Sequence, residues 1–166
     1  MKIVVLSDTH MPKKARVFPA PLLAALADAD HIIHAGDIAL PSVLDMLAAF
    51  APVTAVAGNV DPPELRAALG EARRLRLGGF WLGVCHGHGT KGTTKQRAID
   101  RFADEQVDAI IFGHSHIPCC EYHGGVLLLN PGSPTDKRRN PYCSFGVIEA
   151  GETLAARIVY FDRAGL

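Results

Sequence analysis

The chain opens on an uninterrupted apolar series within Lys2–Ser7 and turns polar at once with Asp8-Thr9-His10. Aliphatic, β-branched residues in a continuous run, not in alternation, predict a strand buried on both faces. The same punctuation recurs. Leu22, Leu23 and Leu26 lay an apolar stripe along a helix predicted over Ala20–Ala29. His31–Ala35 reads as a second strand. Pro41–Phe50 reads as a second helix, with its proline suited to a first turn, and Val53–Ala57 as a third strand. This βαβαβ order predicts parallel strands joined by right-handed crossovers.

The pattern then changes. Asp61–Gly70, with Pro62-Pro63 as a turn, reads as a loop. Arg73–Leu77 alternates charged and apolar residues, Gly78-Gly79 turns, and Phe80–Cys85 returns, which is a hairpin signal. Thr94–Gln106 predicts a helix with Ile99, Phe102 and Ala103 on one face, and Asp108–Phe112 another buried strand. Three or four further strands fall near Cys119–Tyr122, Val126–Leu129, Cys143–Glu149 and Leu154–Phe161. No repeat or linker interrupts the series. The expectation is an α/β chain, two packed sheets flanked by helices, forming a single domain over 1–166.

Composition narrows the functional classes. The 166 residues are 48% apolar and 20% charged, a globular composition with a core large enough to fold alone. The 17 basic and 17 acidic side chains cancel, so there is no basic excess of the kind a polyanion binder shows. Met1–Leu6 is too short for a signal-peptide core, and no apolar stretch approaches a membrane span. Cys85, Cys119, Cys120 and Cys143 form no CxxC, which predicts reduced thiols in a cytoplasmic protein. Eight histidines are roughly twice ordinary usage, and they are the lead.

Their placement carries the chemistry. The predicted strands end in Asp8-Thr9-His10, Gly36-Asp37, Gly58-Asn59, His86-Gly87-His88 and Gly113-His114-Ser115-His116. Ligands of open α/β sheets sit beyond the carboxyl ends of parallel strands. Asp8 and His10, like His114 and His116, are two residues apart, and in extended chain such pairs point to one face with Thr9 and Ser115 turned away. Asp8, His10, Asp37, Asn59, His86, His114 and His116 are too many ligands for one tetrahedral zinc. Two divalent metals about 3.5–4 Å apart, sharing a carboxylate, account for them better. Each fragment alone has an ordinary reading as a cap or turn; only their common placement points to metal. His31, His34 and His123 lie outside the set as structural or surface residues, with His34 close enough to Asp37 to support the ligands.

With these motifs, and with Gly58-Asn59-Val60-Asp61 and Asn130-Pro131-Gly132-Ser133 beside them, the chain resembles the calcineurin-like metallophosphoesterases. The resemblance is to their small bacterial and archaeal phosphodiesterases, which share a fold with the retromer subunit of eukaryotes. It implies two mixed β-sheets packed as a sandwich with flanking helices. It implies that Asp8, His10 and His116 hold one metal, that Asn59, His86 and His114 hold the other, and that Asp37 bridges them beside a nucleophilic hydroxide. The favoured ion is Mn²⁺, with Fe, Zn²⁺, Ni²⁺ and Mg²⁺ as alternatives. Small relatives form dimers or tetramers, so a homo-oligomer belongs to the same expectation.

One position departs from the larger family. Many members carry His directly after the metal-binding Asn, where it protonates the leaving oxygen; here that residue is Val60, which has no proton to give. His88 and Asp61 are the candidate substitutes, each with a plainer alternative as a wall or capping residue. Two basic clusters, Lys13-Lys14 with Arg16 and Lys137-Arg138-Arg139, are candidates to meet substrate charge, Arg138 and Arg139 foremost. The expected function is metal-dependent hydrolysis of a small phosphodiester or nucleotide. The competing readings are a non-catalytic scaffold of the retromer-subunit type and a nuclease, the latter disfavoured on long nucleic acid by zero net charge.

Overall fold

The computed structural model describes residues 1–162. Along the chain its strands are β1 (Lys2–Leu6), β2 (His31–His34), β3 (Val53–Ala55), β4 (Ala72–Leu77), β5 (Phe80–Cys85), β6 (Ala109–Ile111), β7 (Cys119–His123), β8 (Val126–Asn130), β9 (Cys143–Ala150) and β10 (Leu154–Phe161). The helices are α1 (Ala20–Leu26), α2 (Pro41–Ala48), α3 (Pro63–Leu69) and α4 (Thr94–Arg101). The strands form two mixed five-stranded sheets, β10-β9-β1-β2-β3 and β4-β5-β6-β8-β7. In the first, β1, β2 and β3 run parallel and β9 and β10 antiparallel; in the second, β5, β6 and β8 run parallel and β4 and β7 antiparallel.

The continuous apolar runs are explained by burial on both faces. In β1, Ile3 and Val5 point inward against Leu82, Val84, Ala109, Ile111, Leu127 and Leu129 of the opposite sheet. Val4 and Leu6 point outward into a cluster with Leu22 and Leu26 of α1 and Val43 and Leu47 of α2. The second sheet does the same with Ile110 and Leu128, which meet Ala98 and Phe102 at α4. The result is a sandwich with helices outside both sheets, and the expected architecture holds. No helix among the described residues is long and apolar enough to cross a membrane.

Local boundaries differ from the expectation in instructive ways. Helix α1 stops at Leu26 and α2 at Ala48, short of the expected ends, although Ala29 and Ala51 just beyond them still pack on the same cluster. Helix α4 ends at Arg101; Phe102 is buried just beyond its last turn, while Ala103 faces solvent. Residues 63–69, expected to be loop, form α3: a proline at a first helical turn is compatible with a helix, and Leu65 is buried there.

Candidate metal centre

Parallel pairing brings the carboxyl ends of β1, β2 and β3 to one edge of the first sheet and those of β5, β6 and β8 to one edge of the second. The two edges coincide. The His114 N–H donates to Asp8 Oδ2 at 2.9 Å, and His86 Nε2 lies 3.2 Å from Asp37 Oδ2. Two triads result, Asp8–His10–His116 and Asp37–His86–His114, each with its ligand atoms within 4.8 Å of one another. Asp37 Oδ2 also lies 3.8 Å from His10 Nε2, so one carboxylate oxygen faces both triads. Asn59 is exposed on the adjoining turn, between Gly58, which packs on Asp37, and Val60, whose N–H donates to Asp37 Oδ1 at 3.0 Å.

The hydrogen bonds fix which ring nitrogens face inward. His86 Nδ1 lies 2.7 Å from the Ala35 carbonyl and His116 Nδ1 2.6 Å from the Asp136 carbonyl. A carbonyl only accepts, so each Nδ1 carries the proton and each Nε2 turns a lone pair toward the carboxylates. His116 Nε2 then stands 3.3 Å from Asp8 Oδ1 and His86 Nε2 stands 3.8 Å from it. Asp8 Oδ1 and His86 Nε2 are buried with no hydrogen-bond partner. Acceptors crowded in this way require positive charge between them. The titration behaviour expresses the same demand. Burial opposes ionisation of Asp37, yet the nearby His86 ring with its charge, and the Val60 N–H, outweigh it and hold the carboxyl at about 2. Burial also opposes protonation of His86, and Asp37 and Asp8 override it to raise that imidazole. Carboxylate oxygen with imidazole nitrogen is a donor set for Mn, Fe or Zn ions, so these residues fit divalent cations.

The backbone is shaped to bring them there. Asp8, His10, Asp37, His114 and His116 all lie in the left-handed region, with φ of 56, 45, 58, 66 and 59°. This corrects the extended-chain geometry expected of Asp8/His10 and His114/His116: each pair converges through left-handed turns, at a cost of about 1–3 kcal/mol per residue that the surroundings must offset. Thr9 and Ser115 do not merely turn away. Thr9 Oγ1 bonds His34 Nε2 at 3.0 Å, and Ser115 Oγ receives Asn130 Nδ2 at 3.1 Å. Close approach requires glycine twice. A Cβ on Gly113 would fall 1.8 Å from Ser7 Oγ, and one on Gly58 2.0 Å from Asp37 Oδ1.

Several residues that hold the ligands escaped sequence reasoning. Ser7 Oγ donates to Asp8 Oδ2 at 2.7 Å, Ser133 Oγ to the Asp8 carbonyl at 2.8 Å, and Thr135 Oγ1 to the Thr9 carbonyl at 2.6 Å. The serine of Asn130-Pro131-Gly132-Ser133 was the one available signal. His34 does support the ligand loops: fully buried, it accepts the Gly36 N–H and bonds Thr9, and burial pushes its pKa down to about 4. His31 bonds Thr54 instead.

The two candidate proton donors part company. Asp61 is buried and accepts four backbone N–H groups, from Asp37 and Gly58 at Oδ2 and from Ile38 and Ala39 at Oδ1. A proton on either oxygen would face N–H donors, so Asp61 ties the Asp37 loop and is not positioned as an acid. His88 flanks the second triad, its ring 5.6 Å from that of His86 and 6.3 Å from that of His114. Its Nδ1 is buried without a partner. Arg138 and Arg139 are both exposed; only Arg138 lines the cavity that His10 opens into. The four cysteines are free thiols.

The sequence model of the calcineurin-like phosphoesterase superfamily domain matches residues 1–153. A probable metallophosphoesterase of Methanothermobacter thermautotrophicus is 35% identical over 162 residues, which span 96% of this chain and 92% of that protein. Vps29 of Entamoeba histolytica, solved in complex with Zn²⁺, superposes with a TM-score of 0.75 at 25% identity, over 98% of this chain and 100% of the other. A solved archaeal phosphodiesterase superposes with a TM-score of 0.73 over 97% of this chain and 100% of the other; at 20% identity this is a likeness of fold alone.

Proposed function

Because the chain belongs to the calcineurin-like phosphoesterase superfamily, we propose that it hydrolyses phosphodiesters with two divalent cations, Mn²⁺ foremost. In this reading Asp8, His10 and His116 hold one cation, Asn59, His86 and His114 the other, and Asp37 is shared. Bound there, such a cation pair supplies Lewis acidity that activates water and neutralises charge gathering on the phosphoryl oxygens. The observation that carries the reading is the buried pair Asp8 Oδ1 and His86 Nε2, 3.8 Å apart and each without a hydrogen-bond partner.

The residues around the ligands favour a diester with a good leaving group. Val60 offers no proton donor. His88, beside His86 and His114, is the side chain we assign to protonating the departing oxygen. Asp61 serves as a positioning residue, holding the loop that carries Asp37. A non-catalytic scaffold is the competing reading, favoured by the likeness to Vps29; the inward lone pairs of His86 and His116 speak for chemistry instead.

The test is hydrolysis of bis(4-nitrophenyl) phosphate by Mn²⁺-loaded protein across a broad pH range, together with elemental analysis of the purified chain. The expected result is turnover that disappears in Asp37→Ala along with bound metal. Intact diester at every pH, with no transition metal retained, would establish the scaffold.

A further inference from the structure

His10 opens into a cavity of ≈ 750 Å³ walled by Lys13, Lys14, Ala39, Val60, Asp136 and Arg138. That volume suits a nucleotide-sized molecule, far more than a lone phosphate group needs. Three cations and one carboxylate share the wall, and Lys14 already pairs with Asp136 at 3.3 Å. The surplus positive charge therefore rests on Lys13 and Arg138. These lie on separate loops, both fastened to the first triad. Thr135 Oγ1 donates to the Thr9 carbonyl, and the Asp136 carbonyl accepts from the ligand His116. Arg138 and the facing Ala39 are held at φ of 48 and 79°, a conformation that solvated loop residues seldom keep without a reason in the surroundings.

We infer that this cavity is a subsite for a second anionic group, a phosphate carried by the substrate in addition to the diester being cleaved. The inference rests on the phosphodiesterase reading and narrows it to nucleotide-type diesters bearing another phosphate. The Arg138 fork matches two phosphate oxygens, and Lys13 adds a point charge. Ala39 and Val60 give an apolar strip for a sugar or base face. Arg139 does not line this cavity; it lines a neighbouring one with Ser115, Ile117 and Asn140, which Arg138 borders as well.

Thymidine 5′-(4-nitrophenyl phosphate) and its 3′-phosphorylated form differ only in the added phosphate. The wild type is expected to favour the latter by about tenfold or more in kcat/KM. Lys13→Ala combined with Arg138→Asn should bring the ratio near one, asparagine being chosen because it tolerates the left-handed backbone. Calorimetric titration of thymidine 3′,5′-bisphosphate against thymidine 5′-monophosphate reads the same preference without chemistry. If neither ester is cleaved but the bisphosphate still binds more tightly, and only with Lys13 and Arg138 intact, the phosphodiesterase reading falls and the subsite stands. A ratio near one in the wild type by both measures, or the same loss in Arg139→Ala, overturns the subsite.

Discussion

Asp61 and Asp37 belong to different loops, and the Asp61 carboxylate accepts the Asp37 backbone N–H at 3.1 Å while also holding Ile38, Ala39 and Gly58. One buried side chain thus sets the position of the carboxylate that faces both triads. Asp61→Asn replaces an acceptor oxygen with an NH₂ group aimed at N–H donors. The expected cost is about 2–4 kcal/mol, with weakened metal retention. Denaturant unfolding and elemental analysis check it. Normal metal content with a defect confined to poor leaving groups would instead mark Asp61 as an acid.

Gly113 passes so near Ser7 and Asp8 that Gly113→Ala must displace one of them. Asp8 Oδ2 would lose its Ser7 or His114 partner. Overpacking of this kind costs about 1–3 kcal/mol, and the first triad should lose metal before the fold is lost. Metal stoichiometry falling by about half, with the protein still folding cooperatively, is the expected signature.

His34 makes the metal-free protein sensitive to acid. Its pKa is about 4 in the fold against 6.5 when unfolded, so between these values the unfolded chain binds the extra proton. Stability is therefore fully present above pH 6.5 and declines as pH falls toward about 4, by about 3 kcal/mol in all. Denaturation midpoints measured across that window should shift downward, and His34→Gln should flatten the dependence while lowering stability at neutral pH. A flat profile in the wild type would contradict the assignment.

His88→Gln separates proton donation from mere proximity to the second triad. With a series of aryl phosphodiesters, loss of a donor should steepen the dependence of kcat on leaving-group pKa, reaching about 10²-fold or more for the poorest leaving group while the best is least affected. A uniform decrease across the series, with metal content unchanged, would make His88 a wall residue.

The architecture was legible because both faces of the central strands are buried. Ile3 and Val5 fill the space between the sheets while Val4 and Leu6 meet the helices, and a continuous apolar run is the only pattern that satisfies both. Helix α3 was not legible: it buries Leu65 alone, and Pro62-Pro63 reads locally as a turn. The histidines and carboxylates of the triads stood out by their position after strands. The means of their convergence did not, since left-handed φ at Asp8, His10, His114 and His116 is imposed by tertiary contacts and not by propensity. Ser7, Ser133 and Thr135 look like ordinary small polar residues until their carbonyl and carboxylate partners, up to 126 positions away in sequence, are known.

Those long reaches have a consequence for synthesis. Each triad joins residues made early to residues made late: Asp8 and His10 wait for His116, and Asp37 waits for His86 and His114. The first is completed only when Ser133 and Thr135 arrive to hold the Asp8 and Thr9 carbonyls. A ribosome-bound chain that stops short of Thr135 therefore lacks the side chains that fasten the first triad, while the carboxylate and imidazoles of the second are all present once His114 is made. The two triads are thus built in sequence, the second from residues made before the fastenings of the first, although the first begins at the N-terminal strand.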